Sequence, residues 1–181
     1  MEGGMNRISK ELTVFVFLFL AVQVAFGATF TVTKTSDSND GLCDADCSLR
    51  EAVFAANNAA GDDIVEFDAM IFGVPQTVNV TLGEIVLGSN GALTINGTGA
   101  NMLTIDGNMS SRIISTGIGV FATINDATFT HGNGAGALNT GRGGAIYNVS
   151  GTLTLNRVIV TGNTGANGGG LNNASATGGS G

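Results

Sequence analysis

The sequence predicts an all-β protein of the solenoid class, and three observations carry that expectation. Short apolar runs recur from Asp63 onward, each separated from the next by Gly, Asn or Ser. Two phrases in the second half of the chain repeat at fixed offsets. The composition, Gly 29 against Pro 1 with 12% charged and 43% apolar residues, describes a chain of tight turns with a core rather than a disordered or collagen-like one.

The repeats are the strongest of the three. "GVFATINDATFTHGN" (Gly119 to Asn133) and "GTLTLNRVIVTGN" (Gly151 to Asn163) share their form, with Asn125 and Asn156, and likewise Thr130 and Thr161, 31 positions apart. "GGAIYNVSG" (Gly143 to Gly151) returns as "GGGLNNASA" (Gly168 to Ala176), 25 positions on. A strand phrase closing on Asn or Asp and Gly also occurs in "ALTINGTG" and "MLTIDGN". A period of roughly 25 to 30 residues made of strands and turns fits stacked β coils. One coil alone cannot bury its inward Val, Ile, Leu and Phe, whereas a stack buries them as a continuous column. Asn at one place in successive coils can stack amide on amide. An antiparallel sandwich also shows short strands and Gly-rich turns, but its strands need not repeat in sequence.

Taken in chain order, Arg7 and Lys10 precede "LTVFVFLFLAVQVAF" (Leu12 to Phe26), with Ala25, Gly27 and Ala28 beyond. A basic start, an apolar run and small residues make residues 1–27 a signal peptide, and the expected location secreted or cell-surface. A membrane anchor would need about 20 apolar residues, and this run is shorter and contains Gln23. The mature chain therefore carries no expected membrane span. "ATFTVTKT" (Ala28 to Thr35) alternates Phe30 and Val32 with threonines, as a half-buried strand does. "SDSNDG" is loop, and "SLREAVFAANNAAG" is a helix. Ser48 and Glu51 form a capping box at its start. Leu49, Ala52, Val53 and Ala56 make one apolar stripe, and Gly61 ends it. "IVEF", "TVNVTL", "EIVL", "ALTIN" and "MLTID" then read as short strands.

Charge is uneven. Nine acids and one base, Arg50, lie between Asp37 and Asp68, and three of each follow. A nucleic-acid partner needs clustered Lys and Arg, so that class is excluded. Cys43 and Cys47 sit inside the acidic stretch. In an exported chain two cysteines point to a disulfide; a redox centre wants Cys-x-x-Cys, and zinc wants more Cys or His than this chain contains. Asp37, Asn39 and Asp40 beside Gly41 suggest calcium, but an EF-hand loop needs Gly at its sixth position and Glu at its twelfth. Here Gly41 is fifth and Ser48 twelfth. The expectation is no cofactor, with a weak calcium site that uses Asp44 and Asp46 as the alternative to a solvated acidic loop at a helix N-terminus.

Sugar hydrolysis would need paired carboxylates on adjacent coils. The repeat region offers Glu84, Asp106 and Asp126. Asp126 and His131 lie close enough in sequence to meet, with Arg142 or Arg157 one coil away. Asp106 and Asp126 stand where Asn96 and Asn156 do, which turn chemistry explains. Sequons at Asn79, Asn96, Asn108, Asn148 and Asn173 arise readily in a chain of this composition.

"CDADCSLREAVFAANNA" resembles the N-terminal module of the CSLREA-domain proteins, whose naming string stands unbroken as Cys47 to Ala52. "FGVPQTVNVTLGEIVLGSNGALTINGTGANMLTIDGN" is similar to that family's passage into right-handed parallel β-helix repeats. The resemblance implies an exported, surface-associated protein of bacteria or archaea with an unassigned biochemical role. "GGAIYN" also resembles half of the repeat of chlamydial polymorphic outer-membrane proteins, which are adhesin-like; the Phe-x-x-Asn half has no counterpart, since Thr130, His131 and Gly132 follow Phe129.

The expected organisation is a signal peptide (1–27), a helical, Cys-bridged capping module (28–68) and right-handed parallel β-helix repeats (69–181). The phrase "GGGLNNASATGGSG" stops one phrase into a repeat, so a longer parent chain is expected. The expected role is a structural, adhesive or ligand-binding scaffold, with surface glycans or proteins as partners and self-association through an open coil end. A carbohydrate-active lyase or hydrolase is the rival.

Overall fold

The structure, a computed structural model, describes residues 26–88, 90–137 and 140–174. The expected signal peptide, except for its last two residues, lies outside the described residues, as does the chain after Ala174. Strand β1 (Thr29–Val32) is followed by helix α1 (Leu49–Asn58), β2 (Asp63–Phe67) and a single helical turn α2 (Ala69–Phe72). Then come β3 (Gln76–Asn79), β4 (Ile85–Leu87), β5 (Ala92–Asn96), β6 (Leu103–Asp106), β7 (Ile114–Thr116), β8 (Phe121–Asn125) and β9 (Thr128–Thr130). The last are β10 (Ile146–Val149), β11 (Thr152–Asn156), β12 (Ile159–Thr161) and β13 (Leu171–Ala174).

From β2 onward each circuit of the chain gives one strand to each of three sheets, ordered β1-β2-β5-β8-β11, β3-β6-β9-β12 and β4-β7-β10-β13. Every pairing is parallel. The fold is a parallel β-solenoid. Its core is three columns of stacked inward residues: Val65–Ile95–Ile124–Leu155, Val78–Ile105–Phe129–Val160 and Ile85–Ile114–Ile146–Leu171. Outside β7 and β10, where consecutive residues are buried, alternation along the strands puts every second side chain into the core.

The sequence repeats are inter-coil partners. Asn125 pairs with Asn156, Thr130 with Thr161 and Asn148 with Asn173. The recurring Gly-Gly phrase has a steric cause. A Cβ on Gly144 would stand 2.1 Å from the Gly169 carbonyl oxygen and 2.4 Å from that of Thr164. The glycine before each member of that pair, Gly143 (φ 50°) and Gly168 (φ 78°), holds left-handed backbone.

Two sequence expectations are corrected. Asp126 does not share the Asn96–Asn125–Asn156 column; it follows Asn125 at a left-handed corner (φ 57°), and the residue above it is Arg157 (φ 54°). Asp106 lies in another sheet, opposite Asn79 and Thr130.

In the first circuit helix α1 takes the place that a strand of the third sheet would occupy and packs on β1, β2 and β4, while Thr35 and Asp37 of the preceding loop border β3 and the turn after it. Its buried face is Leu49, Glu51, Ala52, Val53 and Ala56. Strands β1 and β2, within the segment 28–68, belong to the same sheet as β5, β8 and β11, so the stack runs without a break across Asp68.

Candidate functional site at the N-terminal edge

Cys43 and Cys47 form a disulfide, with Cα atoms 4.6 Å apart, and Cys47 is fully buried. The next residue caps α1. Ser48 Oγ accepts from the Glu51 amide at 3.1 Å, and the Glu51 carboxylate accepts from the Ser48 amide at 2.8 Å. Glu51 does more than close this box. Its other oxygen accepts from Ser38 Oγ at 2.9 Å and from the Asp40 amide at 3.1 Å, so one buried carboxylate ties the acidic loop to the helix start. Burial raises its pKa, but the donors from Ser48, Asp40 and Ser38 outweigh burial and bring it down to about 2.

The helix also closes the strand edges beneath which it lies. Asn57 Nδ2 donates to the Val86 carbonyl at 2.8 Å and its Oδ1 accepts from the Gly88 amide at 2.6 Å. These are the two bonds a neighbouring β-strand would make. Two helical turns earlier, Arg50 donates to the carbonyls of Gly83 at 2.5 Å and Glu84 at 3.1 Å. Its other donors meet Asp37 at 2.8 and 2.9 Å. Asp37 in turn accepts from the amides of Thr81 at 2.7 Å and Leu82 at 2.8 Å. Burial raises the Asp37 pKa, yet Arg50 and those two amides hold it below the usual carboxylate range. The Thr35 carbonyl takes the Asn79 amide at 3.2 Å.

A cavity of about 210 Å³ opens between α1 and β4, lined among others by Arg50, Phe54, Asn57, Glu84 and Val86. The polar atoms of Arg50 and Asn57 at its wall are those already bonded to the strand edge.

The loop aspartates make local turns: Asp40 accepts from the Leu42 amide and Asp44 from the Asp46 amide, both at 2.9 Å. Asp46 lies 2.9 Å from Lys34 Nζ. Among the described residues no group of three or more His, Cys, Asp or Glu is arranged to hold a metal ion.

In the repeat region each carboxylate meets an arginine or the histidine. Glu84 pairs with the fully buried Arg112, whose guanidinium also donates to the carbonyls of Arg142 and Gly143 and lies 4.9 Å from the centre of the Tyr147 ring. The Arg142 side chain donates to Tyr147 Oη at 2.6 Å. Asp126 is bonded twice by Arg157, both at 2.6 Å, which lowers its pKa. His131 meets Asp106 at 2.9 Å, a correction to the expected neighbourhood with Asp126: Asp106 ends β6, whereas Asp126 lies at the corner after β8 in the next coil.

The sequence signals the capping box and the disulfide. It gives no sign of Asp37, Arg50 and Asn57 as edge partners beyond the seven-residue spacing that puts Arg50 and Asn57 on one helix flank. Among the described residues no helix is long and apolar enough to cross a membrane. Comparison with protein-family models, with curated proteins and with solved structures finds no significant match to this chain.

Proposed function

We propose that this chain is an exported protein of the CSLREA type whose disulfide-tied helix caps a right-handed parallel β-solenoid, and that the solenoid is a non-catalytic scaffold displaying a binding surface. The disulfide supports export, because such bonds persist in oxidising compartments. The strong preference of parallel crossovers for one hand supports the right-handed coil. The capping role rests on Asn57, which bonds the open edge of β4, and on Arg50 and Asp37, which bond the turn between β3 and β4.

One observation carries the scaffold reading over the enzyme reading. Glu84, Asp106 and Asp126 are each engaged by Arg112, His131 or Arg157, whereas glycoside hydrolysis needs one carboxyl to give a proton and a second to activate water. Each of these carboxylates is already occupied by its partner side chain. No step of the reading uses a metal or cofactor, and its partners are surface glycans or proteins. Incubating the exported protein with a glycan array, with parallel assays for reducing ends and unsaturated uronides, tests it. Retention without product is expected; turnover of any polysaccharide overturns it.

A further inference from the structure

The outer face of the five-stranded sheet carries a two-dimensional array. Inward Leu93, Ile95, Ala122 and Ile124 are buried, so the residues between them face outward. Register stacks these as Thr94–Thr123–Thr154 and Asn96–Asn125–Asn156, flanked by Ala92–Phe121–Thr152. The asparagine column is locked: Asn125 Nδ2 donates to Asn96 Oδ1 at 2.8 Å and Asn156 Nδ2 to Asn125 Oδ1 at 2.9 Å. Each amide keeps a second N–H and a second lone pair. Phe121 is 60% exposed beside the threonine column. These nine positions, on β5, β8 and β11, hold no charge, on a chain of formal net charge −7; on β2 the threonine and asparagine columns continue as Ile64 and Glu66, which bound the array.

We propose that this face binds a neutral polysaccharide, one extended chain lying along the solenoid axis. The proposal rests on the scaffold reading and names its ligand and surface. The coils repeat every ~4.8 Å, close to the rise of one pyranose in an extended glycan. Each sugar therefore meets the same pair of groups, a Thr hydroxyl and an Asn amide ~6.6 Å away along the strand. A fixed amide offers donor and acceptor to vicinal hydroxyls without losing side-chain freedom on binding, since the ladder has already restrained it. Phe121 supplies an apolar plate for one sugar face. An uncharged array matches an uncharged polymer, and the acidic chain around it repels uronic-acid polymers.

The test is affinity electrophoresis of the exported full-length product through gels holding a soluble neutral β-glucan, or polygalacturonate as the acidic control. Variants are Phe121→Ala and Thr123→Lys on the face, and Thr77→Lys on the outer side of the second sheet; thermal melts verify folding. Retention by the neutral glucan is expected, weakened about fivefold by Phe121→Ala, abolished by Thr123→Lys and unchanged by Thr77→Lys. Equal retention of Thr123→Lys and the unmodified protein overturns the assignment of the face while leaving the scaffold reading intact. Retention by the acidic polymer alone, or by no glycan, overturns the proposal. So does shaping of ice crystals that Thr123→Lys removes without any glucan retention, which would assign the array to ordered water. Release of reducing ends overturns the scaffold reading itself.

Discussion

The first and the last described coils of the solenoid are covered to different degrees. At the N-terminal edge polar side chains meet β4 and the turn that leads into it: Asn57 bonds Val86 and Gly88 as a strand would, Arg50 bonds Gly83 and Glu84, and Asp37 bonds Thr81 and Leu82. Inward residues there are fully covered; Val53 is 2% exposed and Ile85 3%. In the last described coil, β11–β13, the inward Leu153, Leu155 and Val160 are only partly buried, and Leu171 is 40% exposed. Ile124, one coil below Leu155, is fully buried. A β coil is thus covered by its neighbour, and at the N-terminal edge helix α1 substitutes for that neighbour by bringing polar atoms to the strand's backbone.

Matched charges at the two ends give the largest contrast. Val53→Asp places an unpaired carboxylate beneath the helix, for an expected loss of about 3–5 kcal/mol and aggregation through uncovered edges. Leu155→Asp, whose charge can reach water, is expected to cost less than half of that. Urea titrations of the two proteins check the ratio, and equal losses would remove the distinction between the ends.

Acid discriminates next. The Glu51 pKa is depressed in the folded state, so its contribution is complete above the unfolded value near 4.5 and disappears as pH falls toward 2. That contribution is about 3 kcal/mol on the scale of one pKa unit per 1.36 kcal/mol. Asp37 shifts in the same direction. The cap is expected to loosen before the repeats between pH 4.5 and 2, and Glu51→Gln to flatten the dependence. Stability measured against pH for both proteins tests this.

Reduction of Cys43–Cys47 comes third. The loop it closes is short, so the expected loss is about 2 kcal/mol, at the low end for a disulfide. Thiol labelling of the folded, exported protein without reductant should leave both cysteines unmodified. Asn57→Ala, which removes two bonds to the strand edge, should cost about 1–2 kcal/mol. The smallest effect belongs to Asn156→Ala, which removes its bond to Asn125; thermal melts of the pair give the comparison.

Much of this architecture could be read beforehand, for a physical reason. Stacked coils place like residues over like residues, so the register of Asn125 on Asn156 and Asn148 on Asn173 is written as a constant offset. The helix was equally legible, because capping box and apolar stripe are local. Strand β7 left a weaker trace: Ile113 and Ile114 are followed by Ser115 and Thr116, all buried, so no alternation marks it. The one-turn α2 is too short to show a period. The edge bonds of Arg50 and Asn57 reach carbonyls about thirty residues away, and a side chain that serves distant backbone leaves no pattern around itself. The pairing of His131 with Asp106 rather than Asp126 follows from the coil offset being different in each sheet, which becomes visible only once the three columns are assembled.

Hydrogen–deuterium exchange is the most direct measurement of the capping claim. Peptides spanning residues 76–88 and 152–161 would be followed in the unmodified protein and in the double variant Arg50→Ala/Asn57→Ala. The account predicts that 76–88 is protected as well as the interior strands, that 152–161 exchanges at least about tenfold faster, and that the double substitution brings 76–88 to the faster rate. Exchange of 76–88 as rapid as 152–161 in the unmodified protein, or no change on removing both side chains, would contradict it.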